Sequence, residues 1–234
     1  MNGETIRSGA ESFDESYWTA DSQYRKFGDY AAALAALRAW HQGLFRLISA
    51  DLPSPPGRAL EAGCGHGAVV HELVARGWDA AGFDLSEWVI DQARSASPAD
   101  AHRFTVGDAN VAAPGEDLDL VLCLEVLEHV PDPRATLSAL ATRLRPGGRL
   151  IATTPNLRPL IPWWDPVTKD PTHINVHEPL WWRGAVQAAG LEARQVSSFI
   201  SLPVLWRLHP ALSRWWRLGR RGGPGVLIVA DAPA

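Results

Sequence analysis

The sequence is short of sulfur. Its 234 residues hold two cysteines, Cys64 and Cys123, and one methionine, the initiator. Neither cysteine lies in a Cys-x-x-Cys pair, so a disulfide framework is excluded and a reduced compartment is expected. Long apolar runs are missing as well. No uninterrupted stretch approaches the roughly 20 residues of a membrane-spanning helix. The polar, acidic start from Met1 to Phe13 lacks the charged-then-apolar order of a secretory signal. The expectation is a cytoplasmic protein. Excess positive charge is also absent. The 22 Lys+Arg stand against 26 Asp+Glu, a net charge of −4, which argues against a dedicated nucleic-acid binder. There is no internal repeat and no low-complexity stretch.

What is present is an ordinary globular balance, 46% hydrophobic and 21% charged, in a length that suits one domain with an appendage. Tryptophan is the exception, with 11 residues. Seven of these lie at or beyond Trp163: Trp163, Trp164, Trp181, Trp182, Trp206, Trp215 and Trp216. That much indole must line a core, a pocket or an interface.

From Asp29 to about Ala50 the apolar residues Leu34, Leu37, Leu44, Phe45 and Ile48 recur at helical spacing. Pro53, Pro55, Pro56 and Gly57 end that helix. The chain then alternates. Strands are predicted at 58–61, 78–83, 103–106, 118–124 and 149–154. Helices are predicted at 68–76, 86–94 and 133–144. The run 118–124 is nearly all apolar, as in a strand buried on both faces. Such alternation predicts parallel βαβ units. After a loop-like stretch at 156–177 come a helix at 178–189, a strand at 191–199, an insertion at 201–224 and a last strand at 226–230. The residues predict an N-terminal helical cap at 1–56 and an α/β domain at 57–234.

Leu60-Glu61-Ala62-Gly63-Cys64-Gly65-His66-Gly67 closes the first strand and opens a helix. Glycines there permit a tight turn and close approach of backbone to a ligand. A Gly-Lys-Ser/Thr is lacking, so this is not a phosphate-gripping loop. Gly63, Gly65 and Ala68 also fit a dinucleotide fingerprint, and Asp84 fits the ribose-binding acid of either reading. Glu61, however, would welcome a cation and repel a pyrophosphate. Asp108, after the third strand, offers an acceptor for an exocyclic amine.

In these segments, and in Gly82 to Asp84, Leu118 to Pro133 and Leu144 to Asn156, the chain resembles the class I S-adenosylmethionine-dependent methyltransferases. Within them it is similar to the ubiquinone-biosynthesis O-methyltransferases. The resemblance implies a Rossmann-like, mostly parallel seven-stranded sheet with helices on both faces and an antiparallel last strand. It implies that Gly63, Cys64, Gly65 and Gly67 contact the methionine portion of S-adenosylmethionine, with Glu61 near its amino-acid end. Asp84 with Leu85 would meet the ribose, Asp108 with Ala109 the adenine, and Glu125 the same cofactor. The ligand carries a sulfonium and an ammonium, so surrounding carboxylates make physical sense. Tyr17, Trp18 and Tyr24 are candidates to close over it.

Glu125, Glu128 and His129 follow the buried fourth strand, where ligands of open α/β sheets bind. One reading makes His129, supported by Glu128, the general base for an acceptor hydroxyl. Another makes Glu125, Glu128 and His129 ligands of Mg²⁺ or another divalent cation, a set that the resembling enzymes share. A later histidine would complete it: His173 is the better match and His177 the second. A third is local hydrogen bonding with no chemistry.

Acids are missing altogether between Glu192 and Asp231, while Arg194, Arg207, Arg214, Arg217, Arg220 and Arg221 are present. On a helical wheel from Pro210, the residues Ala211, Leu212, Trp215, Trp216 and Leu218 oppose the arginines. That predicts a basic amphipathic helical insertion, usable as a lid, a dimer contact or a membrane-surface patch at 210–221. The sequence reading is therefore a methyltransferase for a small-molecule or lipid-like acceptor, most simply through oxygen. An NAD(P)-dependent oxidoreductase accounts for the glycines and Asp84 but not for Glu61 with Asp108. A non-catalytic cofactor-binding protein stays open, and the net charge and length argue against an RNA 3′-end methyltransferase.

Overall fold

The computed structural model describes residues 13–21, 40–109, 114–157, 170–201, 215–219 and 222–234. Tyr24, Leu34, Leu37, Trp163, Trp164, Trp206, Arg207, Arg214, Arg220 and Arg221 lie outside these residues.

Among the described residues, eight strands form one sheet: β1 (Arg58–Ala62), β2 (Asp79–Asp84), β3 (Phe104–Val106), β4 (Leu118–Leu124), β5 (Leu144–Pro155), β6 (Glu192–Ser201), β7 (Trp215–Leu218) and β8 (Gly225–Asp231). Their order is β3-β2-β1-β4-β5-β8-β6-β7. The pairings among β1 to β5 are parallel, and β8 inserts antiparallel between β5 and β6. The expectation of a mostly parallel, Rossmann-like sheet with an antiparallel last strand holds.

Period-2 alternation explains the double burial. Leu60, Val121, Cys123, Leu150, Ala152 and Ile228 pack on one face against α4 (Pro133–Ala141) and α5 (Pro179–Ala188). Ala59, Leu120, Leu122, Ile151 and Leu227 pack on the other. There they meet α1 (40–48), α2 (Ala68–Ala75) and α3 (Glu87–Ala96). This is why β4 reads as a nearly continuous apolar run, and each buried Leu, Val or Ile contributes about 1.5–3 kcal/mol. Trp182 of α5 is fully buried, which assigns that indole to the core. Helix starts follow their caps. Ser86 accepts from the Val89 N–H, and Asp132 accepts from the N–H groups of Arg134 and Ala135 ahead of Pro133. α4 stops at Ala141, short of the predicted 144, because Leu144 already pairs with Leu118 as β5 begins.

The C-terminal insertion departs from its expectation. Residues 215–218 are not helical; they form β7, an eighth strand antiparallel to β6. The apolar residues fit a helical arc, but β6 presents an open edge, and aromatic residues pair well there. Trp215 packs on Phe199 and Trp40, while Trp216 turns to solvent. Arg217 joins Gln195 to the Leu47 carbonyl and the Asp51 carboxylate, tying β7 to the end of α1. Arg217, the one residue of the predicted arginine face among the described residues, therefore serves a structural contact.

The strand order reverses between β1 and β4, which opens a crevice beyond their carboxyl ends. Among the described residues, Glu61, Gly63 to Gly67, Asp84, Asp108, Glu125, Glu128 and His129 all follow or end strands at that end of the sheet.

Candidate active site

At the end of β1, Glu61 lies between Gly82 of β2 and Leu122 of β4 in the sheet register. Its side chain is buried, and one carboxyl oxygen has no hydrogen-bond partner among the described residues. Burial, and then the nearby Asp84 charge, push this carboxyl well above the usual range. The next residues turn sharply. The N–H groups of Gly63 and Cys64 both donate to the Phe83 carbonyl, at 2.8 and 3.0 Å. Gly63 has φ +71°, and a Cβ there would come within 2.2 Å of Val126. Gly67 has φ +76°, and its Cβ would meet the Phe104 ring at 2.3 Å. Only glycine fits at these positions. The Cys64 side chain packs against Gly82, so it is the backbone of this residue that borders the loop.

Asp84 ends β2 and accepts two backbone N–H groups, from Gly65 and from Ser86, each at 2.9 Å. Burial raises its carboxyl, and these two donors oppose the rise. Each oxygen keeps a second lone pair for a ligand hydroxyl. Leu85 is half-buried beside it. The Gly107 N–H donates to the Asp84 carbonyl at 2.9 Å, which sets half-buried Asp108 and buried Ala109 beside the same crevice. The structure thus brings Glu61, the glycine loop, Asp84 and Asp108 to one end of three neighbouring strands.

An N-terminal segment covers this loop. Trp18 approaches Gly65 so closely that a Cβ there would touch its ring at 3.6 Å. The Trp18 Nε1–H is shared between Ser86 Oγ at 3.3 Å and the Phe13 carbonyl at 3.2 Å, and the indole packs edge-on to His66. Phe13 in turn packs edge-on to His129, with ring centroids 5.5 Å apart. Tyr17 joins the same aromatic group.

Beyond β4, Glu125 has φ +57°, a conformation uncommon outside glycine, and its N–H is held by the Thr153 carbonyl. Burial raises its carboxyl to about 7. Glu128 is 1% exposed, and neither of its oxygens makes a hydrogen bond to a described residue. Burial, then the Glu125 charge, push it well up. His129 Nε2 stands 3.8 Å from one Glu128 oxygen. Burial and the neighbouring His173 lower this imidazole to about 4, so the ring is neutral near pH 7.

The segment 170–177 closes over these residues. The N–H groups of Ile174 and Asn175 both donate to the Glu128 carbonyl at 2.9 Å, and the Asn175 amide donates to the Val130 carbonyl. His173 is thereby brought to His129, with ring centroids 4.7 Å apart. Ligand atoms of Glu128, His129 and His173 all lie within 4.8 Å of one another; Glu125 is not in that group. His177, the second candidate, is instead stacked on Trp181 at 3.6 Å. Sequence reasoning passed over Asp170 and Thr172 as individuals. Thr172 Oγ1 lies 2.6 Å from Asp170 Oδ1 and 2.9 Å from His129 Nδ1. The Asp-x-Thr spacing was the available signal, since it builds a local turn in which the Thr172 N–H also bonds Asp170.

Comparison with known proteins fits this geometry. A family profile described as a methyltransferase domain matches residues 30–196. The ubiquinone biosynthesis O-methyltransferase of Aromatoleum aromaticum is 38% identical over 104 residues, covering 42% of this chain and 44% of that protein. That of Hahella chejuensis is 30% identical over 154 residues, 64% of this chain and 60% of the relative. The chain therefore spans about half the length of the curated relatives it matches. Among solved structures, a putative methyltransferase in complex with the Haloferax volcanii Trm112 methyltransferase activator superposes with TM-score 0.66 at 20% identity. That match covers 92% of this chain and all of the other. Magnesium protoporphyrin IX methyltransferase from Synechocystis, with bound S-adenosylhomocysteine, superposes with TM-score 0.62 at 18% identity, covering 95% and 97%. No described helix is long and apolar enough to cross a membrane. The glycine loop flanked by acids, on this sheet order, agrees with the family match: the chain belongs to the methyltransferase domain family.

Proposed function

We propose that this enzyme methylates an oxygen of a small or lipid-like acceptor, with His129 taking the proton. The observation that carries the reading is His129 itself. It is a partly buried, neutral imidazole beyond β4, next to a buried carboxyl and beneath Phe13, whose neighbours Tyr17 and Trp18 reach the glycine loop. In this reading residues 1–56 cap a cofactor-binding domain of 57–234. The backbone of Gly63 to Gly67 borders the methionine portion of the cofactor. Glu61, with a buried oxygen lacking a partner, faces its cationic end, and Glu125 lies further along. Asp84 with Leu85 takes the ribose hydroxyls, and Asp108 with Ala109 takes the adenine. The donor set suits a cationic ligand, because no Lys or Arg stands among these residues.

The chemistry is a direct displacement. The acceptor oxygen attacks the methyl carbon as the S–CH₃ bond breaks, and the bonding pair stays on sulfur to leave S-adenosylhomocysteine. The hydroxyl proton passes to His129 Nε2, and Glu128 stabilises the imidazolium so formed. Much of the acceleration comes from alignment, with proton removal adding on the order of 10²–10⁴-fold. The test supplies methyl-labelled cofactor with lipid and aqueous cell extracts as separate acceptors. Label recovered on oxygen in a small molecule or lipid supports the reading. Label on nitrogen, on carbon or nowhere overturns it.

A second reading rests on the grouping of Glu128, His129 and His173, with both Glu128 oxygens buried and lacking hydrogen bonds. These residues fit a hard divalent cation such as Mg²⁺, which when bound would lower the pKa of the acceptor hydroxyl. Dialysis against EDTA separates the readings. Activity lost and then restored by Mg²⁺ or Mn²⁺ supports the metal; unchanged turnover removes it.

A further inference from the structure

His129 has two ring nitrogens, and the surroundings of Nδ1 decide which one carries the proton. Nδ1 lies 3.2 Å from the main-chain carbonyl of Thr172. A carbonyl oxygen only accepts. Nδ1 also lies 2.9 Å from Thr172 Oγ1, and that hydroxyl lies 2.6 Å from Asp170 Oδ1. A carboxylate has no proton to give, so the single hydroxyl proton of Thr172 goes to Asp170 and Oγ1 is left to accept from the ring. Both neighbours of Nδ1 are therefore acceptors.

We propose that Thr172, held by Asp170, is a positioning residue that fixes His129 as its Nδ1–H tautomer and leaves the Nε2 lone pair for the acceptor's proton. The contact spans 43 residues of sequence, from the end of β4 to the segment after β5. It is built to hold one geometry. Asp170 Oδ1 accepts from both the Thr172 N–H, at 2.9 Å, and its hydroxyl, so the threonine rotamer is set from two sides. Backbone bonds from Ile174 and Asn175 to the Glu128 carbonyl fix the same segment against the strand end. The other tautomer would place a lone pair at Nδ1 against the Thr172 carbonyl and a proton at Nε2, where it could not act as a base.

This inference rests on the reading of His129 as the proton acceptor, and its test reads the ring directly. In ¹⁵N-histidine-labelled full-length protein near pH 7, two-bond ¹H–¹⁵N spectra report the tautomer of each histidine. The His129 signals are those lost in His129→Gln. The expected wild-type pattern is Nδ1 protonated and Nε2 bare, kept in Thr172→Ser and lost in Thr172→Val. Methyl transfer should fall about ten- to hundred-fold in Thr172→Val, through kcat, with the affinity for S-adenosylhomocysteine unchanged and Thr172→Ser restoring the rate. A wild-type His129 protonated at Nε2 overturns the proposal, as does a Thr172→Val protein that keeps the Nδ1–H pattern. The Nδ1–H pattern with no activity loss in His129→Gln would instead remove the base assignment and leave the positioning intact.

Discussion

Asp84 and Glu128 are both buried acids at the carboxyl end of the same sheet, and the protein treats them differently. Asp84 accepts N–H groups from Gly65 and Ser86, so the folded chain already offsets much of its burial. Glu128 has no hydrogen bond to either oxygen among the described residues and is pushed further from its usual range by Glu125. The first acid is satisfied by the architecture of the loop. The second is a cost to the fold, one that the proposed proton transfer would relieve. The difference separates an acid that the fold uses for itself from one that is a candidate for chemistry.

The sharpest way to break that comparison is to remove both. Asp84→Ala leaves two backbone donors without their acceptor and should lower stability by about 2–4 kcal/mol, read by thermal or denaturant unfolding. It should also weaken S-adenosylhomocysteine binding on the order of a hundredfold by calorimetry. Glu128→Gln should leave the melting temperature unchanged or raise it, because an acid that resists burial is replaced by a neutral isostere. Its methyl transfer should nevertheless drop about ten- to hundred-fold. Equal destabilisation by the two substitutions would contradict the division.

Glu61 tests the comparison at intermediate strength, since it is buried with one oxygen lacking a partner. Its folded carboxyl sits well above the ordinary range, so at low pH the empty site holds it protonated. The ligand's ammonium prefers the ionised form and must displace that proton. Affinity for S-adenosylhomocysteine, which carries the same ammonium, should therefore rise with pH through and above the usual carboxylate range. Glu61→Gln should flatten that rise and weaken binding by about tenfold. A pH-independent affinity in the wild type would show that Glu61 does not sense the ammonium.

The grouping of the glycine loop with its acids was legible in the sequence because its placement is local. Gly63 to Gly67 follow β1, Asp84 ends β2 and Asp108 lies just past β3, and strand ends are readable from apolar runs such as Leu118 to Leu124. The acceptor end was less so. The contact of Thr172 with His129 joins residues 43 apart, and no periodicity records it. The φ of +57° at Glu125 follows from how β4 leaves the sheet beside Thr153, a backbone fact hidden behind an ordinary residue. The Trp215 to Leu218 segment misled because its apolar spacing satisfied a helix while the open edge of β6 favoured a strand. A helical wheel weighs a segment against itself and has no view of the neighbour it will pair with.

The smallest effect in the series concerns the cover over the loop. Trp18 rests on Gly65 and His66 through ring contacts, its N–H shared between Ser86 and the Phe13 carbonyl, in a segment that is partly exposed. Trp18→Ala should speed S-adenosylhomocysteine release a few-fold in stopped-flow measurements, with little change in stability. An unchanged release rate would mean that this aromatic group packs on the loop without retaining the cofactor.

The measurement that bears most directly on the whole account is the methyl-transfer rate of His129→Gln at saturating S-adenosylmethionine, on whichever extract the wild type labels. A fall of about a hundredfold, with S-adenosylhomocysteine binding intact, is what a proton-accepting imidazole beside a preserved cofactor site predicts. Transfer at the wild-type rate would contradict it.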